Sequence, residues 1–226
     1  MQHSTLQDSQ IEQVLNQLHR AANRQIWSLL WHYLPQLPRL LSGKGIRWNE
    51  NNLALYNDKY VPIDRNQGHL LYLLARSIGA NTIVEYGTSF GISTIYLAAA
   101  VRDNGGGHVI GTEIVPQKIK QAQQNIAKAG LSAYVEIRSG DALQTLKSLN
   151  QSVDLILVDG WPHLALDILK LVDPYIRKGG IVVTDNVRSF KEALYPYITY
   201  LQNPQNGYRT SILDLGGGTA LAVKVI

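Results

Sequence analysis

The sequence predicts an α/β protein: a doubly wound, mostly parallel seven-stranded sheet that ends in an antiparallel β-hairpin and is preceded by N-terminal helices. Three observations predict it. From Asn81 onward, short runs with β-branched residues alternate with helical patterns, as parallel strands linked by crossover helices do. One such run leads into "EYGTSFGIS", Glu85 to Ser93, which reads as strand, glycine turn and helix start. The closing "YRTSILDLGGGTALAVKVI" holds two strands joined by a glycine turn. The 226 residues suit one domain, with 1–63 as a helical and loop extension and 64–226 as the core.

The elements follow in order. Ile11, Val14, Leu15, Leu18, Ala22, Ile26 and Leu30 recur at helical spacing until Pro35 and Pro38 stop the pattern. Trp27 and Trp31 share this helix and are expected to pack against the body or a second subunit. Its apolar stripe, from Ile11 to Leu34, exceeds what one small domain is expected to cover, which predicts a homodimer with the helix at or near the interface. "LSGKGIRWNENNLALYNDKYVP" reads as a polar, irregular loop. Asp64, with Gln67 three residues on, has the capping-box pattern and opens a helix carrying Leu70, Leu71, Leu73 and Leu74. The parallel strands are "TIVEYG", "HVIGTEI", "YVEIRSG", "VDLILVDG" and "GIVVTDN". Between the second and third lies the helix "PQKIKQAQQNIAKAG", closed by Gly130. Its Lys118, Lys120 and Lys128 are expected to form a solvated face.

Composition excludes several classes. A 45% hydrophobic share argues against disorder, and the absence of cysteine excludes disulfides and thiolate zinc sites. "MQHSTLQDSQ" lacks the basic and apolar regions of a signal peptide, and no apolar run approaches membrane-spanning length. A cytoplasmic protein with no membrane contact is expected. The net charge of +4 is mild and scattered, so nucleic acid is not the expected partner.

Doubly wound sheets bind ligands over the carboxyl ends of their strands. Those ends carry Glu85 with Gly87, then Glu113, Asp141, Asp159, and Asp185 with Asn186. Folding has no use for so many mutually repelling carboxylates, so together they point to a site. Gly87 and Gly91 do not have the dinucleotide-fingerprint spacing, no P-loop lysine follows, and Glu85 would repel a phosphate. The ligand is therefore expected to be cationic. Glu113 stands where an acid grips ribose hydroxyls, Asp141 is placed to accept an adenine amino group, and Glu85 could hold an ammonium. Ribose, adenine and ammonium together describe S-adenosylmethionine (SAM).

On "VEYGTSFGIS", "GTEI", "AGL", "SGDAL", "LILVDGW", "KGGIVVTDNV" and "GGGTALAVK", the chain from about Val61 onward resembles the class I SAM-dependent methyltransferases, within them the catechol and caffeoyl-CoA O-methyltransferases. The resemblance implies a Rossmann-like core in which Glu85, Gly87 and Ser93 line the methionine end of SAM and Ile63 also contacts it. It implies that Glu113 takes the ribose, that Asp141 and Ala142 bracket the adenine, and that Trp161 packs on the ring. Asp159, Asp185 and Asn186 match the family's divalent-metal ligands, a set of oxygen donors suited to Mg²⁺ or a similar cation. The implied reaction is methyl transfer to a hydroxyl of a small catechol-like aromatic, with Asp159 among the catalytic residues. The chain departs from the family at Pro162, where relatives carry a lysine as general base. His163 is the alternative base, or else a helix-start or surface histidine. Two further readings stay open: a metal-independent methyltransferase with another acceptor, RNA included, and a SAM-binding protein without catalysis.

Overall fold

A computed structural model describes Leu6, residues 8–47 and residues 63–226. Most of the expected polar loop, residues 48–62, and the Trp27 side chain lie outside the described residues. Helix α1 spans Ser9–Tyr33 and starts at Asp8, whose carboxylate accepts from the backbone N–H groups of Gln10 and Ile11. Ile11, Val14, Leu15, Leu18 and Ala22 are all buried in the chain's own core, so this domain covers the first half of the apolar stripe, while Trp31 and Leu34 at its end are exposed. The side chains of Ile26 and Leu30 lie outside the described residues. Full burial stabilises each Leu or Ile by roughly 1.5–3 kcal/mol, enough to hold the extension to the core. Among the described residues of the extension, the exposed large apolar side chains run from the end of α1 to α2, Leu37–Leu41: Trp31, Leu34, Leu37 and Leu41.

Helix α3, Arg65–Ser77, has the complete capping box, with Asp64 and Gln67 exchanging side-chain to backbone bonds of 2.9 Å. From there strands and helices alternate: β1 Thr82–Tyr86, α4 Ile92–Asp103, β2 His108–Glu113, α5 Pro116–Lys128, β3 Val135–Ser139, α6 Ala142–Thr145, β4 Val153–Val158, α7 Ala165–Val172, β5 Ile176–Thr184 and α8 Lys191–Gln202. Strands β6 Tyr208–Leu213 and β7 Thr219–Lys224 form the closing hairpin. The seven strands lie in the order β3-β2-β1-β4-β5-β7-β6, parallel from β3 to β5, with β7 antiparallel to β5. The predicted fold class is the observed one. Strand β5 starts earlier than its apolar run suggests. Ile176 already pairs with Val153, and a register shift before Leu155↔Ile181 absorbs the polar residues between.

Alternation along the central strands feeds two cores. Ile83, Val109, Leu155, Leu157, Ile181 and Val183 face α1, α3 and α4. Val84, Ile110, Ile156, Val158 and Val182 face the opposite way, with side chains from α7 and α8. Covering both faces is why these strands read as continuous apolar runs. Helix α4 is buried on every side from Ile92 to Val101, so it shows no polar stripe. The winding reverses between β1 and β4, and there the strand ends open into a crevice. No helix of the described residues is long and apolar enough to cross a membrane.

Candidate active site

The crevice holds a cavity of about 270 Å³, near the lower end of small-molecule sites. Gly87 lets its floor close. Its φ is +102°, and a Cβ there would sit 2.5 Å from the Asp159 carbonyl oxygen, so only glycine brings the β1 turn against the end of β4. The two non-glycine residues with positive φ among the described residues, Ser89 (+48°) and Asn186 (+60°), also line this cavity. Backbone strain gathered at one place marks functional ground.

Each predicted residue has a definite place. Glu113 lines the cavity with its carboxylate already fixed: Oε2 accepts from Ser89 N at 2.9 Å, and Oε1 from Ile114 N at 2.8 Å and Val115 N at 2.9 Å. Asp141 and Ala142 line the same wall, and Asp141 caps the short α6 through Leu143 N. Trp161 is set by Tyr86, whose hydroxyl accepts from the Trp161 N–H at 3.2 Å. Asp159 and Asn186 also face the cavity, whereas Asp185 is 8% exposed beside them.

Other residues lie elsewhere. Glu85 is fully buried beneath the glycine turn, outside the cavity wall. The hydroxyls of Thr88 and Thr94 donate to its Oε2, at 2.9 and 2.5 Å, and Ser93 also hydrogen-bonds this carboxyl. Its Oε1 is buried with no hydrogen-bond partner among the described residues. Ile63 is buried in the α1 side of the core, and His163 is exposed; neither lines the cavity. The 3₁₀ turn Pro162–Leu164 presents Pro162 and Leu164 inward and leaves His163 out.

The electrostatics run in one direction. Burial, then Asp185 and Glu85, push the Asp159 carboxyl well above the usual carboxylate range. Asp185 is pushed up to about 6, chiefly by burial, against the hydrogen bonds from Asn186 and Gln67. Glu85 is raised by burial too. Lys118 corrects the expectation of a solvated face: it is 7% exposed, lines the cavity, and holds its Nζ 5.5 Å from the Phe90 ring centroid. Its charge opposes the rise at Asp159 but ranks last among the influences there. A place in the first turn after Glu113, at the ligand end of β2, was the available signal for Lys118. Tyr33 and Ile46 from the N-terminal extension also wall the cavity, and no motif announced them. A chamber with three carboxylates on its walls and two buried beside it suits a cationic, ribose-bearing ligand.

Comparison with known proteins agrees. Residues 84–187 match the family described as "Methyltransferase domain". The chain is 32% identical over 169 residues to a catechol O-methyltransferase of Niastella koreensis, covering 73% of this chain and 75% of that one. It is 33% identical over 128 residues to a catechol O-methyltransferase of Mycobacterium tuberculosis, over 56% of this chain and 57% of the relative. An O-methyltransferase from Bacillus cereus, solved in complex with SAH, superposes with a TM-score of 0.68 at 25% identity, covering 76% of this chain and 86% of that one. The shared sequence spans the strand ends that carry the acids, and the chain belongs to the class I SAM-dependent O-methyltransferases.

Proposed function

We propose that this methyltransferase acts on one hydroxyl of a small, catechol-like aromatic and that a divalent cation at Asp159, Asp185 and Asn186 assists it. The observation that carries this reading is the acidic pair at the ends of adjacent strands. Strands β4 and β5 are in register through Val158↔Thr184, so the next residues, Asp159 and Asp185, emerge side by side. Both carboxyls are raised by burial, and Asp185 raises Asp159 further. A cation between them offsets that repulsion. No cluster of three His, Cys, Asp or Glu side chains gathers among the described residues, so the third protein donor is the Asn186 amide oxygen. Its Nδ2 is already directed at Asp185 Oδ2, at 2.9 Å, which leaves that oxygen as its free end. All three donors are hard oxygens, as Mg²⁺ or Ca²⁺ prefers. When bound, such a cation would favour the ionised form of the acceptor hydroxyl and orient a vicinal diol.

The chain's own residues supply the rest. Glu113, held by three N–H groups, presents its one remaining lone pair, on Oε2, to a ribose hydroxyl. Asp141 meets the adenine amino group, and Ala142 and Trp161 flank the ring. Gly87 admits the methionine end, while Glu85, with Ser93 behind it, lies under the turn, where the positive charge of the ammonium and sulfonium would favour its ionised form against the cost of burial. Ile63 supports this wall from the core rather than by contact. The acceptor oxygen attacks the methyl carbon in line as the thioether leaves. The proton-acceptor role is given to Asp159, which faces the cavity; His163 would first have to turn inward. The exposed Trp31, Leu34, Leu37 and Leu41 support the reading of a homodimer with its contact at the far end of the α1 stripe and on α2.

The test is methyl transfer from SAM to a catechol after EDTA treatment, followed by Mg²⁺ add-back. Activity is expected to vanish and return, with SAH binding unaffected by chelation. His163→Ala is expected to keep most of its activity. Turnover that survives EDTA unchanged removes the cation from the proposal.

A further inference from the structure

In sequence Gln67 is only a helix-capping residue, yet its side chain ends on the acidic site. The residue is 5% exposed and its carboxamide makes three bonds. Oε1 accepts from Asp64 N at 2.9 Å, and Nε2 donates to Asp185 Oδ1 at 2.5 Å and to Thr219 Oγ1 at 3.0 Å. Chemistry fixes which end of the amide points where. Asp64 N can only donate, so it must meet the oxygen. The Thr219 hydroxyl spends its hydrogen on Leu215 O, at 3.1 Å, so its oxygen must accept from Gln67. The other N–H is left to Asp185. A reversed amide would lose all three bonds. The hairpin turn is shaped around this group: Gly216 has φ +57°, and a Cβ there would sit 2.6 Å from Gln67 Nε2.

We propose that Gln67 is the positioning residue for Asp185, transmitting the rigid capping box of α3 and the closing hairpin to the orientation of that carboxylate. The proposal rests on the reading of Asp159, Asp185 and Asn186 as cation ligands. Asp185 Oδ1 is engaged by Gln67 and by Asn186 N at 2.7 Å, whereas Oδ2 has only the Asn186 amide. One oxygen is thus locked and the other keeps an open lone pair in a fixed direction. Without Gln67 the carboxylate keeps only the two bonds from Asn186 and can rotate about its last torsion away from this plane, which redirects the open lone pair. Gln67 does not line the cavity, so it touches neither cosubstrate nor acceptor. Partners that orient metal ligands in this way typically change metal affinity about 10–100-fold.

Two variants test this: Gln67→Met, of similar length with no amide, and Gln67→Glu, which keeps an acceptor for Asp64 N but sets an oxygen against Asp185. Mn²⁺ binding is measured by calorimetry, SAH binding in parallel, and the Asp185 rotamer in a crystal structure of the variant. The expected result is an Mn²⁺ Kd raised about 10–100-fold, SAH affinity within about twofold, and a turned Asp185. Parent-like Mn²⁺ affinity in Gln67→Met overturns the proposal, as does an unmoved Asp185. If the parent itself takes up no Mn²⁺, the cation reading fails. The Asp185 rotamer then decides alone: turned, Gln67 positions it; unmoved, it does not. Should the Met variant not fold, the Glu variant supplies the same readouts.

Discussion

Replacing Glu113 with Gln changes one atom and should still disable cosubstrate binding. The carboxylate accepts three backbone N–H groups, two on Oε1 and one, from Ser89, on Oε2. A Gln can keep the first two only by turning its NH₂ onto the Ser89 N–H, donor against donor. The reversed amide keeps Ser89 and loses the other two. Either way at least one backbone donor is left unpaired, at about 1–3 kcal/mol of fold stability. The turn that holds Ser89 at φ +48° loses its anchor. The ribose hydroxyls lose a charge-assisted acceptor, about 1.5–3 kcal/mol, so the SAH Kd should rise roughly 10- to 150-fold. Calorimetric titration with SAH reads the second effect, and urea denaturation of the ligand-free protein reads the first. An SAH Kd within twofold of the parent would take Glu113 out of the ribose site and leave it a turn residue. Unchanged ligand-free stability would refute the hydrogen-bond argument itself.

Gly87→Ala combines a positive φ with a Cβ 2.5 Å from Asp159 O, so a loss of about 2–5 kcal/mol is expected in urea denaturation. SAH affinity should fall with it, because the end of β4 must move; parent-like stability would show that the turn gives way freely. His19, 7% exposed between α1 and the core, is pushed down to about 4 by burial and then by Arg65. Unfolded, it takes a proton near pH 6.5, while folded it stays neutral until about 4. Its contribution is therefore complete above pH 6.5 and shrinks as the pH falls toward 4, by about 3 kcal/mol in all. Because Asp185, also shifted, acts in the opposite sense, the measurement is the difference in unfolding free energy between parent and His19→Phe across pH 4–7; a difference that stays flat refutes the assignment.

The sheet was legible because its signal is local. Each parallel strand is a short apolar run closed by a polar residue, and of those closing residues Glu113, Asp141, Asp159 and Asn186 line the cavity while Glu85 and Asp185 are buried beside it. What stayed hidden depends on packing between distant parts of the chain. Lys118 looks like its neighbours Lys120 and Lys128, yet its helical position turns it inward over Phe90. How much of the α1 stripe the core takes up was also hidden, because the buried faces of α4 and α5 that receive its first half cannot be added up from sequence. Gln67 satisfied the capping-box pattern so fully that nothing suggested a second set of bonds. His163 is the converse. Its place beside Pro162 was legible, but the direction in which a three-residue turn points its side chain was not.

The distribution of unfavourable terms makes the case for the site independently of any motif. Glu85 carries a buried carboxylate oxygen without a hydrogen-bond partner among the described residues, burial raises the Asp159 and Asp185 carboxyls above the ordinary range, and Ser89 and Asn186 sit at positive φ. Each feature costs folding energy, and a burial of like charges is the last arrangement a stable core would select. Ser89, Asp159 and Asn186 line the crevice and Glu85 and Asp185 are buried beside it, at the carboxyl ends of β1, β4 and β5 and the turns that follow. The other buried positions on the central strands are apolar, glycine or threonine, shared between the two faces, and among the described residues none of them is charged. Unfavourable charge so placed would be relieved by positive charge arriving there: in the proposed reading, the sulfonium and ammonium of SAM on the β1 side and a divalent cation on the β4–β5 side. One electrostatic requirement thus accounts for both the acids that read as a cosubstrate site and those that read as a metal site.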